Sequence, residues 1–212
     1  MNSHLPALVI FLLAIMVVPF LSFGQKTISI FDGKTFNGWE GDTKNTWRIE
    51  NGAIVGGSLT HQVPQNEFLC TTKSYNNFRL RLKFRLLGTE GFINSGVQFR
   101  SVRHTDPPNE MIGYQADLGD GYWASIYDES RRNKTLTPID TALINRTLKR
   151  EQWNSYEIHC NGNRIQLYLN GAKTADYIEE DGRIPQTGLI GLQIHGGGKA
   201  EVHFRDIVVE EL

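Results

Sequence analysis

The chain has 212 residues, a length that suits one domain with a full hydrophobic core rather than two domains. Its 22 Lys and Arg residues nearly balance its 23 Asp and Glu residues, so the formal net charge is −1. This balance provides no overall field that would attract nucleic acid or an anionic membrane surface, and no nucleic-acid partner is expected. Any ligand must therefore be recognised by a local site.

The N-terminal segment from Leu5 to Phe23 is almost wholly apolar and is followed at once by polar, strand-like sequence. The apolar run and the small residues that end at Gly24 are typical of a secretory signal peptide cleaved near Gln25. We therefore predict a signal peptide over residues 1–24 and a single periplasmic or secreted domain over residues 25–212, with no stable membrane insertion after cleavage. An uncleaved membrane anchor is the alternative, because about 20 apolar residues suffice to span a bilayer.

Beyond the apolar segment, period-2 alternation recurs and no apolar period of helical length is present. The clearest strand is Phe78 to Leu86, in which apolar residues alternate with basic residues that are expected to face solvent. Asn161-Gly162 lies between two alternating runs and predicts a β-hairpin with a type I′ turn. Asn170-Gly171 predicts another tight turn directly after it.

Many short strands joined by glycine-rich turns predict an all-β fold, built from two packed antiparallel sheets as a sandwich or jelly roll. The longest irregular piece, residues 128–150, is expected to hold either a short helix or a loop over one sheet. Export would place Cys70 and Cys160 in an oxidising compartment, where they could pair. Both lie in apolar strand-like runs, however, and two buried free thiols are the preferred interpretation.

The segment from residue 93 to 117 comprises two strand-like runs on either side of a polar loop. If the apolar residues of the first run point into the core, alternation places Gln98 and Arg100 together on the opposite face. The same alternation pairs Gln115 with Asp117 on the second run. Four hydrogen-bonding side chains at fixed spacing on adjacent strands favour a binding surface for a polyhydroxylated ligand.

Further candidate residues follow in the second half of the chain. Tyr127 lies in an aromatic-rich stretch that leads into a basic loop with Arg131, and a later strand carries Gln193 and His195. A histidine at a strand end, next to glycines that permit close approach, is a candidate proton carrier. Amide and charged groups that bind hydroxyls, together with aromatic rings that take sugar C–H faces, indicate a carbohydrate site.

Familiar catalytic and cofactor motifs are absent from the sequence, including a P-loop, a dinucleotide-binding fingerprint, HExxH and GxSxG. No convincing pair of carboxylates offers the acid and the base, roughly 5 to 9 Å apart, that a two-carboxylate glycosidase needs. No cofactor is predicted. The spacing of possible ligands does not indicate a metal site, although the sequence leaves open whether a divalent cation binds.

An ordered set of blocks resembles the 3-keto-disaccharide hydrolase domain family: FDGKTFNGW, WRIENGAIVGG, NFRLRLKFRL, NSGVQFRS, GYQADLGDGYWASIYDESRRN, EQWNSYEIHCNGNRIQLYLNG and GLIGLQIHGGGKAEVHFRDIVV. The resemblance covers residues 27–212. It implies a concanavalin A-like jelly-roll fold and an exported enzyme that cleaves 3-keto-glycosides or 3-keto-disaccharides. The substrate would be a small molecule or an oligosaccharide.

The implied chemistry does not need a glycosidase carboxylate pair. A ketone at C3 acidifies the C2 proton, so a base can remove that proton and the C1 substituent can leave by elimination, after which water adds. The alternative function is a non-catalytic, lectin-like carbohydrate-binding module, because this fold serves binding as readily as catalysis.

The resemblance also implies roles for individual residues. It implies His195 or Asp117 as the base and Arg100 or Arg131 as the group that stabilises the enolate. Family members commonly have acidic residues at the positions of Gln115 and Ile194, so this chain shifts proton transfer towards Asp117 and His195. The implied catalytic residues are His195, Asp117 and Arg100, and the implied substrate-binding residues are Asn94, Gln98, Gln115, Tyr127, Arg131 and Gln193.

Overall fold

The computed structural model describes Met1 and residues 27–212, so the predicted signal peptide or anchor lies outside the described residues. Within the described part the strands are β1 (Thr27–Ser29), β2 (Trp39–Glu40), β3 (Trp47–Glu50), β4 (Ala53–Ser58), β5 (Glu67–Thr71), β6 (Phe78–Gly91), β7 (Asn94–Arg103), β8 (Met111–Gly119), β9 (Ile126–Glu129), β10 (Lys134–Thr135), β11 (Asn154–Asn161), β12 (Arg164–Leu169), β13 (Ala172–Ile178), β14 (Leu189–Ile194) and β15 (Gly198–Glu211). One helix, α1 (Thr141–Thr147), is described among them. No described helix is long and apolar enough to cross a membrane.

The strands form two antiparallel sheets. The first sheet has the order β13-β12-β11-β6-β15-β4-β3, and β1 pairs with the C-terminal part of β15. The second sheet has the order β10-β9-β8-β7-β14-β5-β2. The predicted all-β, two-sheet sandwich is confirmed.

Strand β6 shows how the sequence pattern produces the two faces of the first sheet. Its apolar residues, from Phe78 to Leu86, are buried between the sheets, while its basic residues lie on the outer face. On that face Arg79 contacts Glu210 and Lys83 contacts Asp206. The predicted outward orientation of the basic side is therefore correct.

The hairpin predicted at Asn161-Gly162 joins β11 to β12, but its turn lies one residue later than predicted. Asn161 pairs with Arg164 inside the ladder, which leaves Gly162 and Asn163 as the turn residues. Gly162 has a φ of 55°, whereas Asn163 does not have a positive φ, and glycine at the first position is typical of a type II′ turn. The predicted turn at Asn170-Gly171 has φ values of 48° and 84°, as a type I′ turn requires.

The irregular segment 128–150 contains the short helix that was one of its two predicted forms. The helix begins after Asp140, whose Oδ1 accepts a hydrogen bond from the backbone N–H of Leu143 at 2.9 Å. Cys70 and Cys160 are both buried free thiols. Cys160 belongs to the core between the sheets and Cys70 to a small apolar cluster on the outer face of the second sheet, so a sheet separates them.

Candidate active site

A cleft of about 110 Å³ lies on the outer face of the second sheet, near the start of β7 and the ends of β8 and β14. This volume is below the range typical of sites for drug-sized molecules and limits the ligand part that the cleft can enclose to a small one. The lining residues are Phe92, Asn94, Gln115, Asp117, Tyr122, Tyr127, Glu129, Gln193 and His195. The structure thus brings together six of the residues that the sequence nominated, namely Asn94, Gln115, Asp117, Tyr127, Gln193 and His195.

The floor of the cleft is built around Gly96. This glycine pairs with Asp117 on one side and with Gln193 on the other, so both side chains stand on the same face beside it. A Cβ atom at position 96 would lie 1.9 Å from Oε1 of Gln115. The amide of Gln115 therefore lies across Gly96, and only glycine leaves room for it.

Two carboxyl groups line the cleft. Asp117 is 5% exposed, and its Oδ1 accepts a hydrogen bond from Nδ2 of Asn94 at 2.9 Å. Oε2 of Glu129 accepts a hydrogen bond from Nε2 of Gln115 at 3.0 Å. Burial raises the pKa of Asp117 to about 7, and the charge of Glu129 adds to this effect. Burial also raises the pKa of Glu129 to about 7, with a contribution from the charge of Glu110.

These pKa values bear on the chemistry of the cleft. Because burial disfavours the charged form of both carboxyl groups, they hold protons at a pH where ordinary carboxyl groups have lost them. Carboxyl groups with pKa values near the working pH serve well as proton donors or acceptors. Asp117 and Glu129 are therefore suited to proton transfer at neutral pH.

His195 follows β14 and has a defined tautomer. Its Nδ1 lies 2.7 Å from the carbonyl oxygen of Gly196. Because a carbonyl oxygen can only accept, Nδ1 carries the hydrogen, and Nε2 of the neutral ring is left with the lone pair. The ring also packs edge-on against Phe92, with the ring centroids 4.7 Å apart. His195 can therefore take a proton at Nε2.

Two buried glutamines on this face have unused hydrogen-bonding capacity. Neither Oε1 nor Nε2 of Gln193 has a partner among the described groups, although the residue is 0% exposed. Gln98 lies beside Gln115 on the next strand but does not line the cleft; its Oε1 accepts from Ser101 and its Nε2 is unpaired. A buried amide without partners costs about 1–3 kcal/mol per group. Because Gln193 lines the cleft, ligand hydroxyl groups can satisfy it.

Aromatic residues form one wall of the cleft. Phe92 is 42% exposed, and its ring packs edge-on against Tyr122 with the centroids 6.4 Å apart. Tyr127 pairs across the strands with Gln115 and supplies a further ring. Partly exposed aromatic rings beside amide groups can contact the C–H face of a sugar.

The prediction that Arg100 shares a face with Gln98 is wrong. Strand β7 has one extra residue between Phe99 and Val102 relative to its partner, and Arg100 has a φ of 48°. Such a bulge changes the direction of the side chains that follow it. The guanidinium of Arg100 donates to the carbonyl oxygen of Asn76 at 2.9 and 2.8 Å and does not line the cleft.

Arg131 also lies outside the cleft. Its Nε donates to Oδ1 of the fully buried Asp128 at 2.9 Å, and its guanidinium carbon lies 4.6 Å from the centroid of the Tyr114 ring. The adjacent Arg132 contacts both Asp128 and Glu179. Arg131 therefore belongs to an ion-pair network at the edge of the sandwich, which leaves its predicted contact with substrate without structural support.

Three further residues line the cleft: Glu129 and Tyr122, which belong to the polar and aromatic stretch around Tyr127 but have no predicted catalytic or binding role, and Phe92, which the sequence does not single out. Alternation from the buried Ile126 places the side chains of Tyr127 and Glu129 on one face of β9. That alternation was the signal that could have identified Glu129. Phe92 lies in the short connection between β6 and β7, where no periodic pattern indicates which way its side chain points.

The cleft therefore combines groups that transfer protons with groups that bind hydroxyls. Among the residues that the structure describes, no three His, Cys, Asp or Glu side chains converge closely enough to hold a metal ion. The chemistry that the side chains themselves offer is proton transfer at His195, Asp117 and Glu129, and hydrogen bonding by amides.

A cleft with buried amides and partly exposed aromatic rings, on one sheet of a two-sheet jelly roll, is suited to binding carbohydrate. Residues 26–210 match the 3-keto-alpha-glucoside-1,2-lyase-like domain, and the chain belongs to that family. Membership of this family indicates a carbohydrate-related function. No curated protein matches the sequence.

Solved structures share the fold. A candidate glycosyl hydrolase from Parabacteroides distasonis has a TM-score of 0.63 at 21% identity, covering 88% of this chain and 94% of that one. The carbohydrate-binding module CBM66 from Bacillus subtilis has a TM-score of 0.61 at 15% identity, covering 82% of this chain and 96% of that one. At these identities the similarity demonstrates the fold, while the function must be argued from the site.

Proposed function

We propose that the protein cleaves 3-keto-glycosides by removing the C2 proton and eliminating the C1 substituent, with water adding afterwards. The observation that carries this proposal is the meeting in one cleft of a histidine with an available Nε2 and two carboxyl groups whose pKa values are raised to about 7. Binding alone does not require proton-transfer groups tuned in this way. Elimination beside a ketone requires them.

In the first step, Nε2 of His195 takes the proton from C2, and the electrons of the C–H bond form an enolate with the C3 carbonyl. The enolate oxygen needs a hydrogen-bond donor, and neither Arg100 nor Arg131 lies in the cleft. Asp117 in its protonated form can donate to that oxygen, as can the unpaired amide nitrogen of Gln193. A buried carboxylic acid kept protonated near neutral pH is an established type of enolate stabiliser.

In the second step, the enolate electrons form a C1–C2 double bond and the C1–O bond breaks. Glu129 gives its proton to the leaving oxygen, which departs as an alcohol. Water then adds at C1 and transfers a proton to Glu129, while the histidinium returns its proton to C2. The products are the free 3-keto sugar and the alcohol, and one water molecule is consumed.

Glu129 and His195 enter the cleft from different sides. Glu129 is on β9 and pairs with Gly113 of β8, whereas His195 follows β14 and its backbone N–H donates to Asn94 at the start of β7. Strands β8 and β7 lie between them, and both side chains line the same cleft. The proposed acid and base can therefore act on different atoms of one bound sugar.

The proposal is tested by incubating the purified protein with 3-keto-disaccharides of different linkage and with the matching unoxidised disaccharides. We expect cleavage of 3-keto substrates alone, with products identified by NMR, and strong loss of cleavage in His195→Gln. Binding of an unoxidised glycan without turnover of any 3-keto substrate would contradict the proposal and support the lectin-like alternative.

A further inference from the structure

Asn66, directly before β5, connects the end of β14 to the loop before β8. Its Oδ1 accepts a hydrogen bond from the backbone N–H of Gly196 at 3.0 Å, and its Nδ2 donates to Oε1 of Glu110 at 2.9 Å. Gly196 is also the residue whose carbonyl oxygen holds Nδ1 of His195. A continuous chain of hydrogen bonds thus leads from Glu110 through Asn66 and Gly196 to His195.

Close packing restricts Gly196 to this position. A Cβ atom at position 196 would lie 2.7 Å from Cα of Gln65, so the two backbones are in direct contact. The close approach expected beside the glycines after His195 is therefore made by the chain itself. Asn109 donates from Nδ2 to the carbonyl oxygen of Asn66 at 3.2 Å, which also ties the main chain of Asn66 to the loop.

Glu110 determines which way the amide of Asn66 points. An asparagine amide can present its oxygen to the N–H of Gly196 only if its nitrogen faces an acceptor on the other side. Oε1 of Glu110 is that acceptor, and it lies in a partly buried position.

We infer that Asn66 is a positioning residue, which holds Gly196 so that His195 keeps its hydrogen on Nδ1, and that Glu110 orients the Asn66 amide. This inference rests on the proposed function, in which Nε2 of His195 must be available to accept the C2 proton. Hydrogen-bond partners that orient metal-ligating histidines change activity by about 10–100-fold when they are removed, and we expect an effect of that size for Asn66.

The test is ¹⁵N NMR of the His195 ring at alkaline pH, where histidine rings are neutral, with the signal assigned by its absence in His195→Gln. We expect the wild-type protein to carry the hydrogen on Nδ1, and Asn66→Ala to show a mixture of the two tautomers. Glu110→Ala should also give a mixture. Glu110→Gln should keep the wild-type spectrum, because the Gln oxygen can still accept from Asn66.

Two further variants distinguish a shift of Gly196 from a nonspecific effect of any substitution in this region. Gly196→Ala keeps the Asn66 side chain but forces position 196 away from the main chain of Gln65, and it should also produce the mixed spectrum. Gln65→Ala removes the exposed amide next to Asn66, which donates to Oε1 of Glu67 and has no part in this chain of hydrogen bonds, and it should leave the ring unchanged.

A wild-type ring spectrum in folded Asn66→Ala would overturn the inference, whether or not the protein cleaves 3-keto-glycosides. A mixed spectrum there, in a protein whose wild-type form turns over no 3-keto-glycoside, would support the positioning role and reject the proposed function. If both hold, kcat for cleavage should fall about 10–100-fold in Asn66→Ala with little change in KM.

Discussion

Nε2 of Gln115 donates a 3.0 Å hydrogen bond to Oε2 of Glu129, and the same amide lies across the backbone of Gly96. This contact ties β8 to β9 and fixes the carboxyl group that we propose as the acid. The position of the Glu129 carboxyl group on β9 therefore depends on Gly96 of β7, two strands away, having no side chain.

Gly96→Ala should damage the site without unfolding the protein. The new methyl group would lie 1.9 Å from Oε1 of Gln115, so the amide must move and release Glu129. Because a displacement of about 1 Å in a catalytic group can cost about 100-fold, we expect kcat/KM to fall by roughly that factor. Steady-state kinetics with a 3-keto-glucoside measures the change.

Gly182→Ala is the matched control, because no atom lies within 4 Å of the Cβ it would add. It should retain wild-type kinetics. Full activity in Gly96→Ala would show that the Gln115–Glu129 contact is dispensable.

Glu129→Gln should slow the cleavage of substrates with poor leaving groups much more than that of substrates with good ones. A general acid contributes about 10²–10⁴-fold to rates when the leaving oxygen needs a proton. We therefore expect a loss of that size for an alkyl or sugar leaving group and a much smaller loss for nitrophenolate. An equal loss for both classes would exclude Glu129 as the acid.

Asp117→Asn should stabilise the protein at alkaline pH while it lowers activity. The pKa of Asp117 is raised to about 7 in the folded protein, above its ordinary value of 3.8. Between these pH values the folded state binds more protons than the unfolded state, so stability falls as pH rises through this window and then levels off. The variant removes that penalty and keeps an acceptor for Asn94.

The gain at pH 8 is about 4 kcal/mol, or roughly 8–16 °C in Tm, because each pH unit between 3.8 and about 7 is worth about 1.4 kcal/mol. Thermal unfolding at pH 4 and pH 8 measures it, and the difference from wild type should nearly vanish at pH 4. A variant that is no more stable than wild type at pH 8 would show that Asp117 ionises without penalty.

Arg100→Lys should lower stability and leave turnover by the folded protein unchanged. The single ammonium group of lysine cannot reproduce both hydrogen bonds that the Arg100 guanidinium makes to the carbonyl oxygen of Asn76. We expect the free energy of unfolding to fall by about 1–3 kcal/mol. Arg183→Lys, at a side chain that is 90% exposed, should change neither property. Lost turnover at unchanged Tm would instead restore the catalytic role first predicted for Arg100.

The fold and most of the cleft could be predicted because both depend on period-2 alternation. Alternation separates core from surface along β6, and it places Gln115 with Asp117 and Gln193 with His195 on the cleft face. Each of these strands is regular along the residues concerned, so the pattern and the geometry agree.

Arg100 could not be placed correctly because a bulge adds one residue and reverses the alternation beyond Phe99. Nothing in the local residue types signals that bulge. Arg131 was misplaced for a different reason, since its partner Asp128 is recognisable only when the burial of β9 is known. The link from Asn66 to His195 joins residues far apart in the chain, which a single sequence does not reveal.

The most direct test of the central claim is the rate of cleavage of a 3-keto-glucoside that carries deuterium at C2. If His195 removes the C2 proton in a rate-limiting elimination, kcat/KM must be lower for the deuterated substrate than for the ordinary one. Equal rates, together with equally rapid cleavage of the unoxidised glucoside, would contradict the claim that this cleft cleaves glycosides through an enolate.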